Sequence, residues 1–218
     1  MSAWLTVWDL LPSLLSGAAV TLEVTAGSFV LALIIGLLLA ILQQLQIPPL
    51  RAIIAIYVDV FRAVPVLTQL FIIYFGLTEI GIRLDPLSAA IAGFGINGGA
   101  YLTEVFRAGI ESVHQGQTEA ALMLGMTRLA ALRIVVLPQA LRVVLPPLGN
   151  FVIGLLKDTA LAAAVAAPEL MFRARTAVDK TFLATQIFVT AAAIYLVMSV
   201  PLGYLTRRAE ARVSRGRR

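Results

Sequence analysis

Five stretches of this chain, at about 14–43, 53–77, 87–107, 143–166 and 183–205, are apolar over a length that few water-soluble folds can bury. A bilayer core of about 30 Å is crossed by roughly 20 apolar helical residues, so each stretch reads as a membrane-spanning helix. Composition agrees: 60% of the 218 residues are hydrophobic, 13% are charged, and the mean hydropathy is +0.92. The expected fold class is therefore all-α integral membrane. No glycine–serine linker, low-complexity tract or internal repeat divides the chain, which reads as one domain over 1–218.

Several chemistries are excluded at once. With no cysteine and one histidine, His114, neither a disulfide framework nor a cysteine–histidine metal site can be assembled. A net charge of +5 does not point to nucleic acid, because six arginines stand in the last twelve residues, after the final apolar run. They are a topology signal. The N-terminus "MSAWLTVWDLLPSLLSG" lacks a basic head and a small-residue cleavage site, so no removed signal peptide is expected.

An odd number of spans puts the two ends on opposite sides. Arg51, Arg107, Arg128, Arg133, Arg142 and the six tail arginines share one side, eleven cations against four (Arg83, Arg173, Arg175, Lys180) on the other. The positive-inside rule then predicts the N-terminus outside and the C-terminus in the cytoplasm. Trp4 and Trp8, one turn apart before the first span, read equally as interfacial anchors or as packing residues.

The longest cytoplasmic segment, 108–142, contains "EAALMLGMTRLAALRIVVLP". Thr118 is expected to cap a short helix with Glu119 in its first turn, and Gly125 to stop it in a left-handed conformation. A second helix is expected from near Thr127 to Pro138, where the missing donor bends the path into the fourth span. By itself the first helix could equally lie on the membrane surface.

The segment from Glu119-Ala120-Ala121 through Gly125 to Leu137-Pro138 resembles the "EAA" signature of the membrane subunits of ABC-type importers. "FRAVPVLTQLFIIYFGL" at 61–77, "GAYLTEVFRAGIESVHQGQ" at 99–117, "LPQALRVVLPPLGN" at 137–150 and "LLKDTALAAAVAAPEL" at 155–170 are similar to the polar amino-acid uptake branch of that family. The resemblance implies five spans with a cytoplasmic coupling helix in the type I, MetI-like permease fold. It implies a second permease chain, the same or related, an ABC ATPase dimer, and a periplasmic or lipid-anchored solute-binding protein. The location would be a bacterial inner membrane. ATP and Mg would belong to the partner ATPase. No G-x-x-x-x-G-K-[ST] loop stands in this chain, and no catalytic residue, metal or cofactor is expected. The coupling residues would be Glu119, Ala120, Ala121, Gly125 and Met126. Glu119 would pair with a cation, the alanines would let the backbone enter a groove, Gly125 would permit the reversal, and Met126 would add an adaptable contact.

Ionisable groups at membrane depth point to function or to pairing. Asp59 with Arg62, and Glu104 with Arg107, stand three apart on helix faces and could neutralise themselves. Lys157 and Asp158 are adjacent, point apart and need partners elsewhere. Glu23 reads as solvated near the interface. Pro65 and Asn97-Gly98-Gly99 are expected to break the second and third spans near mid-membrane, where broken helices line cavities. A zwitterionic amino acid needs an anion for its ammonium, from Glu104 or Asp158. It needs donors for its carboxylate, from Thr103, Gln69 or a helix N-terminus, and Arg62 lies beside them. Packing and self-pairing explain the same residues.

Two other functions compete. An ion-coupled secondary transporter could use the buried carboxylates, but such carriers usually show two related halves. An intramembrane enzyme lacks its groups: the only histidine lies in the loop, and no two aspartates stand in membrane register.

Overall fold

The computed structural model of the protein describes residues 3–214, with side chains through 211. Arg215, Arg217 and Arg218 of the basic tail lie outside the described residues, as does Ser2. Every element among the described residues is helical. α1 spans Ala3–Gln43, α2 Pro48–Ala63, and α3 Val66–Phe71, the last prolonged through a π-helical turn at Ile72–Gly76 to Glu79. α4 spans Pro86–Glu111, α5 Gln115–Met123 and α6 Arg128–Ala131. A π turn at Leu132–Val136 joins α6 to α7, Leu137–Asp158, which tightens into a 3₁₀ segment, Thr159–Val165. α8 spans Leu170–Thr181 and α9 Ala184–Ser214.

Three helical passages, α1, Arg128–Val165 and α9, are long and apolar enough to cross a membrane, and the bent pair α2–α3 makes a fourth. α4 is long enough at 26 residues but carries more polar and small residues. It packs against α1, α2, α3 and α7, so protein rather than lipid surrounds most of it.

The α1–α4 contact is the most extensive in the fold. α1 turns a stripe of small residues inward, among them Thr21, Thr25, Ser28, Ala32, Gly36 and Ala40, and α4 answers with Ala89, Ala90, Gly93, Gly98 and Gly99. In lipid, where burial of apolar surface drives little, such stripes let dispersion and close backbone approach hold helices together. At Gly36 a β-carbon would stand 2.7 Å from Leu102 Cβ and 2.9 Å from its backbone carbon, so any side chain there would push α4 away.

Three sequence expectations are corrected here. Asn97-Gly98-Gly99 does not interrupt α4, which runs unbroken. Its glycines are sites of approach: a β-carbon on Gly98 would lie 2.6 Å from Phe151 Cζ, and one on Gly99 2.6 Å from Ile35 Cγ2. Pro138 does not end a helix either, because the preceding π turn accommodates the missing donor and the chain stays helical from Arg128 to Val165. The stretch 167–182, read as a plain connector, contains α8. Its Leu170, Ala174 and Ala177 are buried at helical spacing, against a cluster shared with α1 and α9.

Pro65 does break its span. Val64, held extended (φ −87°, ψ 133°) by the following ring, turns the chain through 105° between α2 and α3. Trp4 and Trp8 are 58% and 73% exposed, so they face outward rather than packing within the chain.

Candidate functional site

The break at Pro65 frees carbonyls that lipid could not satisfy. Gln69 answers them: its Nε2 donates to the Phe61 carbonyl at 2.8 Å and to the Val64 carbonyl at 2.8 Å. Asn97 Nδ2, from α4, donates to the same Phe61 carbonyl at 2.8 Å and to Gln69 Oε1 at 3.4 Å. Tyr57 OH donates to the Ile96 carbonyl at 2.6 Å. α2 is thereby stapled to α4 at the depth of its broken end.

Between α2, the end of α1 and the C-terminal half of α4 lies a chamber of about 440 Å³. Arg51, Arg62 and Arg107 face Asp59, Glu104 and Glu111 across it, three cations against three anions. Arg107 is the centre of a ladder. It donates from Nη2 to Glu104 Oε2 at 2.7 Å and from Nη1 to Glu111 Oε2 at 2.7 Å, with Nε 3.2 Å from both Glu104 oxygens. The expected Glu104–Arg107 pairing is present. Asp59 and Arg62, the other expected pair, form no ion pair among the described residues. Gln43, at the rim, has a buried side-chain oxygen with no hydrogen-bond partner.

Of the five residues expected at a substrate site, Arg62 and Glu104 share this chamber and the other three do not join them. Gln69 is buried in its bonds to the α2 carbonyls. Thr103 is fully buried at the α1–α4 contact, with its hydroxyl donating to the Gly99 carbonyl at 2.7 Å. Asp158 lies exposed at the end of α7, beside exposed Lys157.

Glu169 was overlooked in the sequence, although an acidic residue after Pro168, heading the apolar spacing Leu170, Ala174, Ala177, is a helix-start pattern. It is fully buried. Its Oε1 accepts from the Phe172 N–H at 2.7 Å, and its Oε2 accepts from the Met171 N–H at 2.8 Å and from Tyr195 OH at 3.1 Å. Thr21 of α1 donates to the same oxygen at 3.4 Å and accepts from the Leu170 N–H at 3.2 Å. One carboxylate thus caps α8 and ties it to α1 and α9.

At the opposite end from α8, the loop helix α5 starts earlier than expected. His114 caps it, Nδ1 accepting from the Gly116 N–H at 3.1 Å, so Thr118 and Glu119 sit inside the helix rather than at its head. Its other end is as expected. Gly125 has φ +82°, its N–H donates to the Leu122 carbonyl at 2.9 Å, and the Met126 N–H donates to the Ala121 carbonyl at 3.1 Å. These two bonds are a Schellman closure. Thr127 then caps α6, accepting from the Ala130 N–H at 3.2 Å. Ala121 is corrected: at 3% exposure it is buried against its own chain, where α5 rests on the π turn, so it is not displayed. Glu119 and Ala120 are exposed, and the tip adds two residues not singled out in the sequence, Met123 (89%) and Leu124 (82%).

The model of binding-protein-dependent transport system inner membrane components matches residues 32–215, which contain both the chamber and the loop helix. The chain belongs to that family. Permeases of the same kind cover it almost end to end. The L-cystine transport system permease protein TcyB of Bacillus subtilis is 37% identical over 217 residues, 95% of this chain and 92% of its own length. The glutamine transport system permease protein GlnP of Escherichia coli is 34% identical over 212 residues, 96% and 97%. A crystal structure of an amino acid ABC transporter with histidines superposes with a TM-score of 0.89 at 33% identity, over 97% of this chain and 99% of that one. The methionine transporter MetNI, at 22% identity and a TM-score of 0.81, shares the fold. This permease is therefore a multi-pass inner-membrane component of an ABC importer, with the MetI-like fold that the ordered motifs implied.

Proposed function

We propose that this permease carries a polar amino acid across the inner membrane, paired with a second permease chain, the same or related, and driven by an ABC ATPase dimer. A solute-binding protein delivers the substrate to the α8 end. The observation that carries the reading is α5: a two-turn helix closed at Gly125, seated on its own chain through Ala121 and presenting Glu119, Ala120, Met123 and Leu124 outward. A displayed, stiffly seated helix is what a transmitting contact requires. In this reading ATP and Mg are bound by the ATPase, and the chain itself performs no chemistry.

The chamber supports the substrate class. Its charges balance, so a zwitterion meets complementary groups without leaving a net charge at membrane depth. Arg62, outside any ion pair among the described residues, faces the substrate carboxylate, and Glu104 with the unpartnered Gln43 oxygen faces the ammonium. Names of relatives agree with an amino-acid cargo: cystine and glutamine for two, histidines in a solved transporter. Asp158, exposed at the end of α7, contributes from the second permease's side of the pathway.

The test is reconstitution with the ATPase and binding protein in proteoliposomes. Glu104→Gln, Arg62→Gln and Asp158→Asn should each lower uptake while the ATPase stays bound. Wild-type uptake in all three would remove the chamber from the pathway.

A further inference from the structure

α7 and α9 touch most closely at Gly149, where an added β-carbon would collide with the Thr206 side chain. Toward the loop end α7 carries Pro146 and Pro147 in succession, and there the two helices enclose an open cleft of about 860 Å³. Pro146, Arg142 and Gln139 form its α7 wall, Arg207 and Glu210 its α9 wall, and the turn after α4, at Ser112–His114, closes it. The family's coupling helix and the charged chamber both lie elsewhere.

The charge of this cleft is not spent within the chain. Among the described residues neither Arg142 nor Arg207 enters an ion pair, although Glu210 shares the wall. The neighbouring Arg208 is otherwise engaged, 4.9 Å above the Tyr204 ring. Gln139 is held by its bonds to the Val135 carbonyl and Gln117. Two guanidiniums remain, each with a planar fork of donors suited to phosphate oxygens. They stand where the apolar face of α9 ends, which is headgroup depth, and Leu141 and Val143 of α7 and Tyr204 and Leu205 of α9 expose apolar side chains beside them. A cationic cleft with apolar flanks matches one amphipathic ligand.

We propose that this cleft seats the phosphate-bearing headgroup of an anionic phospholipid, with Arg142 and Arg207 on the phosphate and the acyl chains along α7 and α9. The flanks select a lipid over a free phosphate, and the basic walls select an anionic over a zwitterionic headgroup.

The assembled transporter, purified in mild detergent, is tested by native mass spectrometry for retained lipid. Its thermal unfolding is followed with added phosphatidylglycerol, phosphatidylcholine or inorganic phosphate. Phosphatidylglycerol should raise the midpoint by a few degrees and phosphatidylcholine should not. Arg142→Gln/Arg207→Gln should lower phosphatidylglycerol retention by about tenfold, the scale of one lost charge-assisted pair. If the double variant does not assemble, each single variant should lose about threefold, as expected for one of two forks. Equal retention in parent and variants overturns the assignment. So does inorganic phosphate that matches the effect of the lipid.

Discussion

Gln69 Nε2 lies 2.8 Å from the Phe61 carbonyl and 2.8 Å from that of Val64, so a side chain on α3 terminates the helix that precedes it. Asn97 shares the Phe61 carbonyl, which makes the Val64 carbonyl the one wholly dependent on Gln69. Gln69→Leu leaves it unsatisfied in a buried place, at a cost of about 1–3 kcal/mol. Thermal unfolding of the purified permease should show a lowered midpoint. Gln69→Leu with Asn97→Ala should cost more than the sum of the single changes, because only then does Phe61 lose both donors.

The glycines separate into two kinds. Gly36→Ala should force α1 and α4 apart, because the new carbon meets Leu102 at 2.7 Å and backbone at 2.9 Å. Gly154→Ala meets nothing within 4 Å and removes a flexible residue from the middle of α7. It should be neutral or stabilise by up to about 1 kcal/mol. Folded yield and unfolding midpoint of the two variants check the contrast, which reverses if the helices do not pack as described.

For the loop, Gly125→Val should be more harmful than Gly125→Asn. Open space surrounds the glycine, so the penalty comes only from φ +82°, which asparagine tolerates better than a β-branched residue. Ala121→Trp should unseat α5 from its own chain, visible as proteolysis of the loop in the isolated permease. Met123→Ser/Leu124→Ser should leave the loop protected but weaken retention of the ATPase. Glu119→Gln should weaken it less. Co-purification of ATPase with tagged permease, read beside uptake, distinguishes these outcomes. Full retention and uptake with serine at both positions would show that the tip is no contact.

Asp85 caps α4, and its carboxylate is held below the usual range, chiefly by the Ser88 hydroxyl at 2.6 Å and then by the Ser88 and Leu87 N–H groups. A depressed folded pKa means stabilisation that is present above the unfolded value and lost as pH falls through the folded one. Hydrogen exchange in the first turn of α4 should therefore quicken as pH is lowered into the acid range, after correction for intrinsic rates. Asp85→Asn, a capping residue without the charge, should flatten that dependence. The group is almost fully solvated, so added salt should shrink the effect.

The cation asymmetry predicts a cytoplasmic C-terminus. An impermeant thiol reagent on intact cells should label cysteine introduced at Ser2 and spare one at Ser214. The reverse pattern would invert the proposed assembly.

The sequence by itself determined the elements whose causes are local. Apolar length marks the spans, Pro65 with Val64 marks the break, and Gly125 marks the reversal, because each depends on solvent, ring geometry or φ alone. The ordered motifs also carried the family, and with it the fold. Tertiary structure decided what depends on a neighbour. Asn97-Gly98-Gly99 looks like a break in sequence, yet α1 and Phe151 fill the space that the missing side chains leave, so α4 stays whole. Ala121 looks displayed but is covered by the π turn. Thr103 and Gln69 have the chemistry of ligands, and backbone carbonyls that only the folded chain brings near consume it. Glu169 owes its burial to Thr21, 148 residues before it, and to Tyr195, 26 after it. No local pattern encodes separations of that kind, because packing alone brings those three helices to one carboxylate.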